Sequence, residues 1–173
     1  MGLELYLDDT QYKYEYIDHD REIVRAIVID NNGFFYFVGA DRDDDFGKAI
    51  LIETAGGGVE HGENYESAIR RELQEELGVN VDVLCKLGMV SDYYNLIHRH
   101  NINNYYLCRV TSFTNRSLTF DEENKFHLSV LKVSYEEAVN KYKESMKYKL
   151  GVLIRNRELP ILEYAKRLID QGI

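Results

Sequence analysis

Residues Gly57-Gly58-Val59-Glu60-His61-Gly62-Glu63-Asn64-Tyr65-Glu66-Ser67-Ala68-Ile69-Arg70-Arg71-Glu72-Leu73-Gln74-Glu75-Glu76-Leu77-Gly78-Val79 join a glycine-rich turn to a strongly acidic segment. From Asn64 to Leu77 the apolar residues recur at helical spacing, and Gly78 is a C-terminal stop. At about 100° per residue, with Tyr65 at zero, Ala68, Ile69, Leu73 and Leu77 lie between about −60° and +120°. Glu72 falls at about −20° and Glu76 at about +20°, inside that apolar arc, with Glu75 at its edge near about −80°. A merely solvated acidic face would lie opposite the stripe. Here two carboxylates point to where the helix meets the rest of the protein. Like charges gathered in a partly buried place raise one another's pKa or require a counter-cation. Arg71, four residues before Glu75, partners only part of the cluster. Mg²⁺ prefers carboxylate oxygens and commonly bridges to substrate phosphate, so a divalent cation is the expected remedy.

Gly56-Gly57-Gly58, ahead of this helix, suits a turn in which backbone approaches a ligand closely. Upstream, Ile23–Ile29 and Phe34–Val38 read as strands joined by the turn Asp30-Asn31-Asn32-Gly33. A charged loop, Arg42 to Gly47, precedes a short strand from Ala49 to Thr54. Downstream, strands are expected at Val79–Leu87, Tyr105–Thr111 and Phe126–Val133. Ser134-Tyr135-Glu136-Glu137 has the form of a capping box and opens a helix running to about Lys149. A last helix is placed from about Pro160 to Asp170, with the proline in its first turn. Tyr93 to Asn104 reads as a loop or hairpin tip near a site. Its pair His98 and His100 has no evident third metal ligand. This order predicts an α+β fold with a mixed β-sheet. A single domain, 1–173, is expected, with an N-terminal strand extension of about 1–20 and C-terminal helices at about 134–171.

The chain's 173 residues suit one compact domain. Thirty acidic residues against 21 basic ones give a net charge of −9, which disfavours a nucleic-acid polymer as partner. An anionic substrate would need cations to be held. The 14 tyrosines fit half-buried strands better than a cleft, though some could line one. Cys85 and Cys108 lack metal-type spacing and read as reduced, which fits a cytoplasmic location. Met1 to Asp20 does not have the form of a signal peptide, and no run of about 18 apolar residues suggests a membrane span.

Gly57 to Val79 resembles the Nudix box: glycine, five residues, glutamate, seven residues, then arginine-glutamate-aliphatic-any-glutamate-glutamate-any-glycine-aliphatic. All nine specified positions agree, over 23 of the 173 residues. The resemblance implies the Nudix α/β/α sandwich and metal-dependent (Mg²⁺ or Mn²⁺) hydrolysis of a nucleoside diphosphate linked to another moiety. It assigns Glu72, Glu75 and Glu76 to metal binding, with the Gly56 carbonyl completing the shell. Arg71 would orient the glutamates, and Glu63 would support the loop–helix structure. The general base would be Glu72 or a downstream acid from Asp121-Glu122-Glu123, with Glu123 the residue taken forward; a solvated turn is the equal alternative for that triplet. Glu53 to Glu63 is similar to the stretch entering the box in ADP-ribose and nucleotide-sugar pyrophosphatases, where Glu53 would shape the site. Ala55 and His61 stand where prolines are usual, and the double glycine suits nucleoside-triphosphate-cleaning members equally well. Arg42 and Arg25 are candidate phosphate contacts, and Tyr93, Tyr94, Tyr105 and Tyr106 candidate stacking partners. The competing class is a non-catalytic Nudix-fold nucleotide sensor, but such modules typically lose box glutamates and this chain keeps them. A homodimer is a further expectation, with Leu3 to Ile17 as interface or sheet edge.

Overall fold

A computed structural model of the protein describes residues 2–173. Among these, the strands are β1 (Leu3–Tyr6), β2 (His19–Ile29), β3 (Phe35–Asp44), β4 (Gly47–Glu53), β5 (Ala55–Gly58), β6 (Val79–Tyr94), β7 (Arg99–Phe113) and β8 (Ser129–Val133). The helices are α1 (Tyr65–Leu77), α2 (Phe120–Asn124), α3 (Tyr135–Glu144) and α4 (Lys149–Asp170). The sheet is mixed, ordered β1-β6-β7-β2-β3-β4, with β5 also on β2 and β8 on β3. The pairs β1–β6 and β2–β7 are parallel and the others antiparallel.

Strand β2 explains the layering. Ile23 to Ile29 is buried without interruption, as expected for a strand covered on both faces. Val24, Ala26 and Val28 pack with Ala68, Ile69 and Leu73 of α1. Ile27 and Ile29 face the other way, into a core built with Leu150, Ile154 and Leu162 of α4 and Tyr142 of α3. The result is a sheet sandwiched between α1 and the α3–α4 pair.

Strand β2 also positions the cleft. Its end pairs with β3 only at Val28–Tyr36 and Ile29–Phe35, whereas Ile23 to Ala26 pair with β5. The sheet divides between those two pairings, and the C-terminal half of α1, from Arg71 to Glu76, lines the cleft there.

Three expectations are corrected. Strands β6 and β7 run far beyond the expected ends, so the polar segment Tyr93 to Asn104 is mostly strand around a short turn at Asn95–Ile97. The reason is that Asn101, Asn103 and Asn104 are buried, Asn103 bonding Asp92 and the Val90 carbonyl. Helix α4 starts at Lys149 and carries Pro160 in its interior rather than in its first turn. The apolar stripe Leu150, Leu153, Ile154, Ile161, Leu162 and Ala165 continues at helical spacing through the proline, and its burial outweighs the missing hydrogen bond. Strand β8 starts at Ser129 rather than Phe126 because a short helix occupies Phe120–Asn124.

Candidate active site

Helix α1 is held at both ends by local chemistry. Asn64 Oδ1 accepts from the Ser67 N–H at 2.8 Å, and Gly78, in the left-handed region at φ 66°, donates to the Gln74 carbonyl. Glu72 and Glu76 lie on its buried face with Ala68, Ile69, Leu73 and Leu77. They are 7% and 6% exposed, as deeply placed as the apolar residues around them.

Arg71 organises the glutamates around it. Its Nε and Nη2 grip Glu63 in a two-point pair at 2.8 and 2.9 Å, and Nη1 donates to Glu72 at 2.8 Å and to Glu75 at 3.3 Å. Nη2 also donates to the Gly58 carbonyl at 3.1 Å, tying the glycine strand to the helix. The glycines make room for this arrangement. A Cβ on Gly57 would stand 2.6 Å from the Glu72 carboxylate, and one on Gly56 would be 2.1 Å from the Val24 carbonyl oxygen. The Gly56 N–H donates to Glu76 at 3.1 Å.

The electrostatics diverge within the cluster. The hydrogen bond from Arg71 holds the Glu63 carboxyl down to about 2. Burial pushes Glu76 well above the ordinary carboxylate range; the Gly56 N–H works against this, and Glu122 and Glu72 add to the rise. Burial also raises Glu72, opposed by Arg71. Glu72 and Glu75 therefore share one guanidinium that is already committed to Glu63, and Glu76 and Glu122 have no ion-pair partner among the described residues. Oxygen-only donors with uncompensated negative charge fit a hard divalent cation. In the arrangement seen, no three acidic side chains among the described residues converge into a finished cage. Arg71 draws Glu72 and Glu75 to itself, while Glu76 is turned to Gly56.

The cluster forms one wall of an open cleft of about 940 Å³. The floor is a buried ionic network reached from the opposite side of the sheet. Arg157 of α4, wholly buried, donates to Glu53 at 3.0 Å, Asp92 at 3.2 Å, the Tyr94 hydroxyl at 2.7 Å and the Tyr105 hydroxyl at 3.0 Å. Arg25 pairs with Glu53 at 3.0 Å and also bonds Asn103 and the Thr54 carbonyl. Burial works to raise Glu53, but Arg25 and Arg157 outweigh it and hold the carboxyl down. Glu158, equally buried, accepts from the Thr54 N–H at 2.7 Å, from the Thr54 hydroxyl, and from Tyr105 and Tyr142 at 2.9 Å each.

Glu53, Gly56, Arg71, Glu72, Glu75 and Glu76 therefore meet around one cleft, and Arg42 lines it as well, paired with Asp44 at 2.6 Å. Glu123 does not line it. That side chain is exposed on α2, whereas its neighbour Glu122 faces Glu76. Thr119 and Glu122 form a reciprocal capping box, and this turns Glu122 inward. Arg25 is bound into the floor, and of the four tyrosines only Tyr94 reaches the cleft. His100 bonds Ser91 and Asp20, and His98 stacks on Tyr16, so each has a partner away from any metal. Sequence reasoning missed Arg157 and Glu158. Both lie inside the apolar stripe of α4, the same signal that marked Glu72 and Glu76, but a helix expected to begin at Pro160 hides them. Arg21 was missed too, since nothing in its local pattern brings two strands together, whereas Arg99, in the His98-Arg99-His100 stretch read as a loop feature that could touch substrate, does line the cleft.

A family model for the NUDIX domain matches residues 19–149. The chain belongs to the Nudix family. Nudix proteins of known structure share the fold. A NUDIX hydrolase from Nitrosomonas europaea superposes with a TM-score of 0.58 at 20% identity, over 70% of this chain and 76% of that one. The E. coli ORF135 protein matches at 0.57 and 23%, over 88% and 93% of the two chains. An ADP compounds hydrolase matches at 0.58 and 18%, over 88% and 75%. At these identities the likeness is one of fold. No curated protein matches the sequence. Nudix enzymes are pyrophosphohydrolases that act on nucleotide-derived small molecules and generally use divalent metals. No helix among the described residues of this Nudix chain is long and apolar enough to cross a membrane.

Proposed function

We propose that the protein hydrolyses the diphosphate bond of a nucleoside diphosphate linked to a further group, with Mg²⁺ or Mn²⁺ as cofactor. The observation that carries this reading is the burial of Glu72 and Glu76 beside Glu75 and Glu122 in a cleft whose nearest guanidinium is bound to Glu63. A binding module has no need to keep so costly a set of carboxylates. Glu72, Glu75 and Glu76 would hold the metal, with the Gly56 backbone at its edge. A bound divalent cation supplies charge neutralisation at the diphosphate and makes water a better nucleophile near neutral pH.

The protein's own part is placement and proton handling. Arg71 ties Glu72 and Glu75 to the glycine strand and keeps their carboxylates side by side at the cleft wall. Glu122, brought in by α2, replaces Glu123 as our downstream candidate for the base. Facing Glu76 in a half-buried place, it is positioned to take the proton of an attacking water. Glu53, locked between Arg25 and Arg157, and Arg42 line the remainder of the cleft as substrate contacts.

The test is phosphate-coupled turnover with Mg²⁺ or Mn²⁺ over ADP-ribose, nucleotide sugars, dinucleoside polyphosphates and nucleoside triphosphates, wild type beside Glu76→Gln. Cleavage of one class, reduced at least about 100-fold in the variant, is expected. Equal turnover by the variant would remove Glu76 from the site. Metal-dependent binding without cleavage would leave a sensor.

A further inference from the structure

The cleft lining contains six cations, and four of them have a carboxylate partner. Arg71 pairs with Glu63, Arg25 with Glu53, Arg42 with Asp44 and Lys125 with Asp121. Arg21 and Arg99 have none among the described residues. In a protein of net charge −9, two arginines left without acids at one end of a cleft are an anomaly.

Their placement follows from strand register. Strands β2 and β7 run parallel with His19 opposite Arg99 and Arg21 opposite Asn101, so alternate side chains of the two strands share a face. Arg99 is half-buried, its Nε on Asn101 Oδ1 at 2.6 Å and its guanidinium 5.2 Å over the Tyr94 ring. Arg21 stands beside the box glycines: a Cβ on Gly58 would be 3.4 Å from its Nε. The two cations feel each other, for burial first and then Arg21 lower the Arg99 pKa to about 10. Asn101 supports Arg99 from behind and does not line the cleft. It is fully buried, its oxygen is taken by Arg99, and its Nδ2 has no acceptor. Arg21, exposed, and Arg99, half-buried, thus face the cleft without a paired carboxylate, and forked donors in that position suit an oxyanion.

We infer that Arg21 and Arg99 form a subsite for a phosphoryl group of the substrate lying beyond the diphosphate held at the glutamates. Two forked guanidiniums match a phosphate dianion in charge and geometry. A neutral sugar beyond the diphosphate, as in ADP-ribose or a nucleotide sugar, would leave both cations without an anionic partner. The substrate is on this reading a nucleoside triphosphate or another nucleotide with a further phosphate. The inference rests on the proposed function for its diphosphate position, but its test is binding rather than turnover.

Calorimetric titration in Mg²⁺ would compare α,β-methylene diphosphates with bis-methylene triphosphates of the four ribonucleosides. Wild type, Arg21→Gln, Arg99→Gln and the double variant would be run together, each checked for an unchanged thermal midpoint. The wild type is expected to favour the triphosphate of at least one nucleoside by about ten-fold or more. That preference should collapse toward unity in the double variant. No preference in the wild type for any nucleoside, or a preference that survives in the double variant, overturns the inference. A preference abolished by the double substitution in a protein that cleaves nothing would retain the subsite and sink the hydrolase reading alone.

Discussion

Gly56 and Gly57 are neighbours that meet different obstacles. An added methyl at Gly57 collides first with the Glu72 carboxylate, the end of a side chain that can swing away. At Gly56 it collides with the backbone of β2, which cannot. Gly57→Ala is therefore expected to keep its stability within about 1 kcal/mol while losing at least about ten-fold in turnover, because Glu72 is displaced. Gly56→Ala is expected to lose several kcal/mol or not to fold. Denaturant unfolding and the turnover assay read both. Glu63 permits a second residue-level test through pH. Its folded pKa is depressed from 4.5 to about 2 by Arg71, so its contribution to stability is complete above pH 4.5 and is lost as pH falls through about 2. Glu63→Gln should unfold at a lower temperature than wild type at pH 7, and the gap should close as pH is lowered toward 2. A gap independent of pH would mean that Glu63 acts by shape and not by charge.

At the scale of elements, what could be read in advance depended on whether charge and burial agreed. Helix α1 was legible because its cap residues, its period and its misplaced glutamates were all local to one stretch. The β6–β7 hairpin was not, because Arg99, Asn101, Asn103 and Asn104 are loop-like by type and are made strand-like by partners such as Asp92, and Tyr94 stacked under Arg99, from another strand. In the site, the box residues were legible, while Glu122 was displaced by one position in the reading because only the folded cap of α2 decides which acid turns inward. Helix α4 was cut short by treating proline as a beginning. An interior proline costs a helix about 3 kcal/mol relative to alanine. Pro160→Ala should accordingly raise the melting temperature by several degrees. No rise would indicate that the proline ring makes packing contacts worth as much as the lost hydrogen bond.

For the molecule as a whole, the two sides of the sheet are each built around an arginine, Arg71 against α1 and Arg157 under α4. Removing Arg157 leaves the buried Asp92 and Glu158 without their cation and Glu53 with Arg25 alone. Arg157→Met should cost about 3–5 kcal/mol, read as a lowered denaturant midpoint. Residues 54 to 58 lie between the two centres. Thr54 is bonded to Glu158 of α4, Gly56 to Glu76 of α1, and Gly58 to Arg71. Thermodynamic reciprocity gives this five-residue strap a consequence for ligand binding. If metal capture at α1 draws Glu76 away from the Gly56 amide and so loosens Thr54 on Glu158, a change that loosens Thr54 beforehand must strengthen metal capture by an equal free energy. In Arg157→Met a raised metal affinity and a larger gain in stability on adding metal should therefore agree, which couples the far helix to the proposed metal site.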